Sequence, residues 1–387
     1  MTVSKVLAGL ILVSATCVTA ARPARAQVAG GPPAAQPAAP ASRTGPLSGY
    51  MDFHVNKLEG EPAIIDFHRF VLLFNHQFSP RIRFVGELEL EHALVEGLEE
   101  AGELELEQAY VDFLLHRRFN VRAGMMLVPV GILNERHEPP VFHGVERPLV
   151  DTVVIPTTWF EAGAGVHGDL GRGVRYRAFV MAPLDAEGFS ADEGLRGGLQ
   201  KGVESRAPSA AVTGRLEYLG VDNLTLGASA WIGRGHTETP GLETPVRVLE
   251  ADVRYTGDRL ELRSQVVAVA LPGAAAINQA LGRLVGVDPN IARALRGAYG
   301  EAAYRLWNAG APRDLVAFAR YEYANTQARM PEGWLPLQEF NRRQLVVGLT
   351  YYPDPDVAVK LDYVAARNRS GVIRSRSSMN VGLGWWF

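Results

Sequence analysis

Cysteine and long apolar runs are both scarce in this sequence of 387 residues. Its one cysteine is Cys17, so the chain cannot form an internal disulfide. Beyond the N-terminus no stretch of 18 apolar residues occurs, whereas a helix that crosses a bilayer needs about 20. These absences exclude a disulfide framework, and they exclude membrane-spanning helices from the rest of the chain.

The N-terminal 26 residues have the pattern of a secretory signal peptide. Lys5 supplies the positive charge, residues 6–15 are apolar, and residues 24–26 form an A-x-A cleavage site. Residues 27–47 are rich in Ala, Pro and Gly without periodicity, which indicates a flexible periplasmic tail. We therefore predict a signal peptide at 1–26, a tail at 27–47 and a structured domain at 48–387.

Positive charge is also low. The predicted signal holds three basic residues and no acidic one, so its removal changes the net charge from −3 to −6. This balance excludes a strongly basic nucleic-acid-binding protein, and we expect no nucleic acid among the partners. The mature chain would also lack Cys17, which excludes a thiolate metal site.

From Ser48 onward, apolar and polar residues alternate in runs of about ten, as in a strand with two unlike faces. The last run is the clearest, because one of its faces consists of Met379, Val381, Leu383, Trp385 and Phe387. About sixteen runs occur, at 48–57, 62–78, 81–92, 102–115, 119–130, 160–169, 173–182, 210–219, 224–234, 245–256, 260–270, 298–307, 313–325, 340–352, 357–369 and 374–387.

The connections between these runs alternate in length. Tight ones are rich in turn residues and fall at 79–80, 116–118, 171–173, 220–223, 256–258, 308–312 and 353–356. Between them lie mostly longer segments, chiefly 93–101, 131–159, 183–209, 235–244, 271–297 and 326–339. We predict an all-β fold, a closed antiparallel transmembrane β-barrel of about 16 strands with short periplasmic turns and long external loops.

A barrel explains the pattern better than a soluble β-sandwich, which also alternates. Several polar faces carry both Glu and Arg at close spacing, and Tyr and Trp occur near strand ends, as at a membrane interface. A sheet in lipid must close on itself to pair every backbone group. The terminal Phe387 matches the signal by which the barrel assembly machinery recognises its clients. We therefore expect the protein to lie in the cell outer membrane, with lipid and lipopolysaccharide as partners.

Residues 131–159 form the longest connection, and the third on the long-loop side. Its prolines stiffen it, and its apolar residues could pack against a barrel wall. Its charged residues suit the water side, and they are Glu135, Arg136, His137, Glu138, Glu146 and Arg147. The alternative is an external lid or a contact between subunits.

An acidic pattern occupies the third and fourth runs. Leucines alternate there with Glu87, Glu89, Glu91, Glu103, Glu105 and Glu107. The leucines must face lipid, so all six glutamates should line the lumen. Like charges on neighbouring strands repel, and candidate counter-ions are Arg69, Arg83 and Arg122. The row could form a paired charge lattice, or it could attract cations.

Residues 273–297 show helical spacing of apolar side chains and predict a helix in an outer loop.

The motifs of metalloproteases, nucleotide-binding loops and serine hydrolases are all absent. His137 and His143 share a loop with acidic residues, but no ligand spacing singles out a metal site. We predict no enzyme activity, no cofactor and no metal.

One stretch carries a family resemblance. Residues 103–131, ELELEQAYVDFLLHRRFNVRAGMMLVPVG, together with ERPLV at 146–150 and IPTTW at 155–159, resemble the phosphate-selective porins O and P. The resemblance implies a trimeric, sixteen-stranded channel whose third loop folds inward and narrows it. Phosphate selectivity in that family depends on an arginine ladder and a lysine cluster. Only Lys57, Lys201 and Lys360 remain after the signal, which is too few for the lysine cluster, so no phosphate-binding residue is transferred.

The sequence thus favours a porin for passive diffusion of small hydrophilic solutes or ions, constricted by residues 131–159. Three alternatives remain: a plugged barrel with a structural or binding role, a phosphate- or anion-selective channel, and a barrel enzyme whose catalytic residues meet only in space.

Overall fold

The computed structural model describes residues 46–92, 102–285, 289–308 and 313–387. The predicted signal peptide, and the predicted tail up to residue 45, lie outside the described residues.

Sixteen antiparallel strands form the wall of the molecule. In chain order they are β1 Leu47–Leu58, β2 Ala63–Ser79, β3 Ile82–Glu91, β4 Leu104–His116, β5 Phe119–Leu127, β6 Phe160–Gly171, β7 Val174–Met181, β8 Ala211–Val221, β9 Leu224–His236, β10 Glu243–Thr256, β11 Leu260–Ala270, β12 Ala294–Asn308, β13 Asp314–Arg329, β14 Asn341–Asp354, β15 Val357–Asn368 and β16 Ser378–Trp386. Each strand pairs with its neighbour in the chain.

The sheet closes where the first strand meets the last. Tyr50 of β1 lies opposite Trp386 of β16, and Leu58 lies opposite Ser378. The backbone N–H of Phe387 donates to the carbonyl of Gly49 at 2.9 Å, which continues the ladder to the C-terminus. The predicted closed antiparallel barrel of 16 strands is therefore confirmed. A two-residue strand, Leu184–Asp185, additionally pairs in parallel with Gly235 and His236.

The outer face is apolar along its length. Large side chains on it are exposed, including Leu104, Leu106, Leu345, Val347, Leu349, Val359, Leu361, Met379, Val381 and Leu383. Soluble monomers rarely expose so broad an apolar surface, whereas a lipid-facing barrel wall requires one. None of the helices among the described residues is long and apolar enough to cross a membrane.

The two ends of the barrel differ as predicted. One end, here the short-turn end, has tight connections such as residues 80–81 and 172–173, and both described chain ends lie there. The other, the long-loop end, carries the segments 128–159 and 182–210 and helix α2, Ala274–Val285. A single helical turn, α1 Val150–Val153, lies within the first of these.

Five predicted boundaries were wrong by three residues or more. Strand β12 begins at Ala294 rather than at 298, and β13 ends at Arg329 rather than at 325. Strand β5 ends at Leu127 rather than at 130, because Pro129 cannot donate to a ladder and Val128 and Val130 turn inward and are fully buried. Helix α2 ends well before residue 297, since Pro289 cannot continue a helix and residues 294–297 already pair with β11. Strand β16 begins at Ser378 rather than at 374.

The interior at the long-loop end is filled by packed side chains. The apolar core joins residues of β4, β5 and β7 to β13 to residues of 128–159, 182–210 and α2, and it contains Trp159, Trp231, Val248, Val267, Leu295, Ile155, Phe189, Leu195 and Ile277. This core holds the two long loops inside the barrel and so positions the candidate functional site.

Candidate functional site

The connection between β5 and β6, residues 128–159, folds into the barrel; we name it the inward loop. At one end the indole of Trp159 lies 5.5 Å from the indole of Trp231 on β9. Further along, the Nε2 atom of His137 lies 2.9 Å from the hydroxyl of Tyr50 on β1. Because β1 and β9 are eight strands apart in a ring of sixteen, the loop spans the lumen from wall to wall.

Charged wall residues hold the backbone of the inward loop. The buried ammonium of Lys360 donates to the carbonyls of Pro139 and Gly144, at 2.6 and 2.7 Å. The backbone N–H of Val145 donates to Asp362 at 2.6 Å. Hydrogen bonds to charged partners are about twice as strong as neutral ones, so these contacts order the loop.

A cavity of about 600 Å³ lies between the inward loop and strands β1 to β4, and residues 193–201 complete its lining. Its charged lining is unequal: eight carboxylates face four permanent cations and three histidines. The carboxylates are Asp52, Glu89, Glu91, Glu103, Glu105, Glu107, Glu146 and Glu193. The cations are Arg69, Arg147, Arg196 and Lys201.

Five of the six glutamates predicted to line the lumen lie in this cavity wall, while Glu87 is buried beside it. Their counter-ions are only partly those predicted from the sequence. Arg69 contacts Glu89 at 3.4 Å, as expected. Arg83 and Arg122 do not pair with this row, because both bind the buried carboxylate of Asp112, at 2.7 and 2.8 Å.

Lys201, in the segment 182–210, is a counter-ion that the sequence reasoning missed. Its ammonium contacts Glu103 at 3.3 Å and also binds Glu105. Burial alone would lower the pKa of Lys201, but the hydrogen bonds and charges of Glu105 and Glu103 together outweigh it and raise that pKa. No local signal reveals this pair, since about 100 residues separate its members.

The six charged residues of the predicted constriction loop do not form one site. Glu135 binds Arg177 of β7, Arg136 is exposed and Glu138 is half-buried. Glu146 contacts His54 at 3.2 Å. Arg147 donates to Thr158 and to the carbonyl of His137, which ties the two arms of the loop together.

His137 is a buried residue of the loop that contacts two buried carboxylates, Glu87 and Glu107. Burial alone would lower its pKa, but the charge and hydrogen bonding of Glu107, with those of Glu87, outweigh it and raise the pKa to about 10. The imidazole is therefore held between two carboxylates at the base of the cavity.

Three further histidines, of which His54 and His68 line the cavity, were not singled out from the sequence. The ring of His68 lies 4.7 Å from that of His54 and 5.7 Å from that of His92. They come from β1, β2 and the residue that follows β3, and for His54 and His68 the alternation along their strands was the available signal.

Comparison with solved structures places this architecture in a class. The barrel resembles the outer-membrane channel DcaP of Acinetobacter baumannii, with a TM-score of 0.55 and 11% identity over 88% of this chain and 96% of that one. An anion-selective porin from Comamonas acidovorans is similar with a TM-score of 0.55 and 12% identity, over 88% of this chain and 98% of that one. The trimer form of OmpT, an outer membrane protein of Vibrio cholerae, is similar with a TM-score of 0.51 and 10% identity, over 88% of this chain and 98% of that one. The chain has the fold of outer-membrane porins.

The chain belongs to the same family as an uncharacterized protein of Aquifex aeolicus (strain VF5). The two are 34% identical over 333 residues, which cover 82% of this chain and 74% of that protein. No family model matches the chain. The resemblance to phosphate-selective porins O and P therefore stays a prediction.

Proposed function

We propose that this protein is a porin without enzymatic activity, a channel through which small hydrophilic solutes cross the outer membrane, with a preference for cations. The acidic cavity beside the inward loop carries the proposal. It is the aqueous space on the β1 to β4 side of the loop, and its lining has twice as many carboxylates as permanent cations. Rings of carboxylates favour cations in wide channels.

The inward loop would set the width of this path. Its contacts with β1 and β9 cross the lumen, and the wall residues of the apolar core lie mostly on β7 to β12. Solutes would therefore pass on the side of β1 to β4, past Glu89, Glu91 and Glu105. Phosphate selectivity has no comparable support, because the lysine nearest this path, Lys201, is paired with Glu103 and Glu105.

A plugged barrel is the second candidate, and the same crossing of the lumen favours it. Planar-bilayer recording separates the two, since the porin should give open-channel steps and a plugged barrel none. In a salt gradient the reversal potential should show a cation preference; an anion preference would instead support the phosphate-selective resemblance.

The acidic row is tested by a triple variant, Glu89→Gln, Glu91→Gln and Glu105→Gln. Cation preference should fall, because three of eight cavity carboxylates become neutral. Glu332→Gln is the matched control, since Glu332 is exposed in the connection 330–340 and lines no part of the cavity. If the triple variant keeps the parental selectivity, the row has no role in it.

The remaining partners belong to the same proposal. We propose a homotrimer, which the trimer form of the Vibrio cholerae OmpT supports. Phe387, stacked on Phe70 with ring centroids 5.9 Å apart at the edge of the outer face, would be read by the barrel assembly machinery. Lipid and lipopolysaccharide would cover the apolar wall, residues 1–26 would direct export, and residues 27–47 would extend into the periplasm.

A further inference from the structure

Two carboxylates and an imidazole converge at the base of the cavity. The Nε2 atom of His137 lies 3.1 Å from Oε2 of Glu107 and 3.6 Å from Oε1 of Glu87. The hydroxyl of Tyr50 lies 2.9 Å from the same nitrogen and 3.0 Å from Oε1 of Glu87. All four side chains are buried, each at most 2% exposed.

These separations match those of ligands around one metal ion. Donor atoms about 2.1 Å from a tetrahedral ion are about 3.4 Å from each other. The donor atoms of Glu87, Glu107 and His137 all lie within 4.8 Å of one another. The donors come from β1, β3, β4 and the inward loop, so a bound ion would join the loop to three strands.

The surroundings orient the donors as metal sites do. The Nδ1 atom of His137 lies 3.2 Å from the carbonyl of Asn134, which can only accept, so Nδ1 carries a proton. Nε2 is left to face the carboxylates, and a backbone carbonyl on the other ring nitrogen is the usual second contact of a metal-binding histidine. Gln108 donates to Oε2 of Glu87 and leaves its Oε1 for the site.

Glu107 supplies an independent observation. A β-bulge follows Glu87, because Glu87 pairs with Gln108 while Leu88 pairs with Leu106, and the extra residue is Glu107. Bulges redirect side chains and are common at functional sites. Its Oε2 atom is buried and faces Nε2 of His137 at 3.1 Å. Two buried carboxylates around a single imidazole are costly unless a cation approaches them.

We propose that Glu87, Glu107 and His137, with Tyr50 as a fourth ligand, bind one divalent transition-metal ion that fastens the inward loop to the barrel wall. The mixture of one imidazole and two carboxylates selects a first-row ion such as zinc or manganese over calcium, which prefers oxygen ligands alone. Glu107 and His137 both line the cavity, which supplies the entry route. This site is independent of whether the barrel conducts.

The test is equilibrium metal binding by the full-length protein in detergent, stripped with a chelator and titrated with zinc against a chromophoric competitor. We expect one zinc ion per chain. Glu107→Gln and His137→Gln should each weaken binding at least tenfold. His54→Gln is the matched control, because His54 lies in the neighbouring cluster with Asp52 and His68, and it should retain the parental affinity.

X-ray absorption of the zinc-loaded parental protein tests the same site without any variant. The expected shell contains one imidazole nitrogen and oxygen donors near about 2.0–2.1 Å. Absence of stoichiometric zinc, calcium binding as tight as zinc, or two imidazoles in the shell would each overturn the proposal. The last result would assign the ion to Asp52, His54 and His68 instead.

Discussion

The indole of Trp159, at the end of the inward loop, packs at 5.5 Å against the indole of Trp231 on β9, and both side chains are completely buried. This contact joins the loop to the wall opposite the cavity. Trp231→Ala should therefore lower the free energy of unfolding by about 3–5 kcal/mol, the usual cost of a large cavity in a core. The measurement is denaturant unfolding of the refolded barrel.

Trp307 offers a matched control for that substitution. It lies on β12 with half of its surface exposed, on the outer face. Trp307→Ala should cost clearly less than Trp231→Ala. Equal losses of unfolding free energy would mean that the contact between the inward loop and β9 contributes no more to stability than an exposed tryptophan does.

Lys360 is the main electrostatic anchor of the inward loop. Its ammonium binds two loop carbonyls and lies 4.0 Å from the ring centre of Phe142. Lys360→Met keeps the apolar stem but removes both hydrogen bonds, each worth about 1.5–3 kcal/mol when one partner is charged. Limited proteolysis should cut the loop faster in this variant, while the exposed Lys57→Met should behave as the parent.

Asp151 makes docking of the inward loop depend on pH. Burial raises its pKa to about 7, while Gln265 donates to its Oδ1 at 2.9 Å. A carboxyl group whose pKa is raised on folding stabilises the protein fully below its unfolded value of 3.8, and that contribution is lost as pH rises towards 7. Stability should fall by at most about 1.4 kcal/mol per pH unit in that window.

Asp151→Asn isolates this effect, because the amide oxygen can still accept from Gln265 and carries no charge. Relative to the parent, the variant should gain stability between pH 5 and pH 8 in the same unfolding assay. Parallel pH profiles for the two proteins would show that Asp151 does not titrate in this window.

Lys201 neutralises part of the cavity wall, and its side chain is 37% exposed. Lys201→Gln should raise the cation preference seen in reversal potentials, because Glu103 and Glu105 lose their counter-ion. Little stability should be lost, as exposed ion pairs contribute about 0–1 kcal/mol. Arg206 lies in the same segment as Lys201 and forms an exposed ion pair with Glu238. Arg206→Gln should therefore leave selectivity unchanged.

The sequence predicted the barrel wall well because each strand needs apolar side chains on its lipid-facing side and polar side chains on its lumen-facing side. Alternation therefore located all sixteen strands, and the leucines beside Glu87 and Glu105 indicated which way the glutamates point. The prolines and apolar residues of 131–159 likewise indicated a loop able to pack inside.

Contacts within the lumen could not be predicted in the same way. Lys201 reaches Glu105 from a different loop, and Arg122 prefers Asp112, its cross-strand partner, to the acidic row. The bulge at Glu107 shifts the register by one residue, which alternation alone does not show. Each of these depends on how distant segments meet inside the barrel.

The central claim is that ions pass through the acidic cavity, and cysteine modification tests it most directly. In a Cys17→Ser background the chain has no other cysteine. Glu105→Cys places a thiol in the cavity wall, whereas Leu106→Cys places one on the exposed outer face. A charged methanethiosulfonate reagent should cause a stepwise fall in the single-channel conductance of Glu105→Cys and leave Leu106→Cys unchanged. Unchanged current through modified Glu105→Cys would contradict the account.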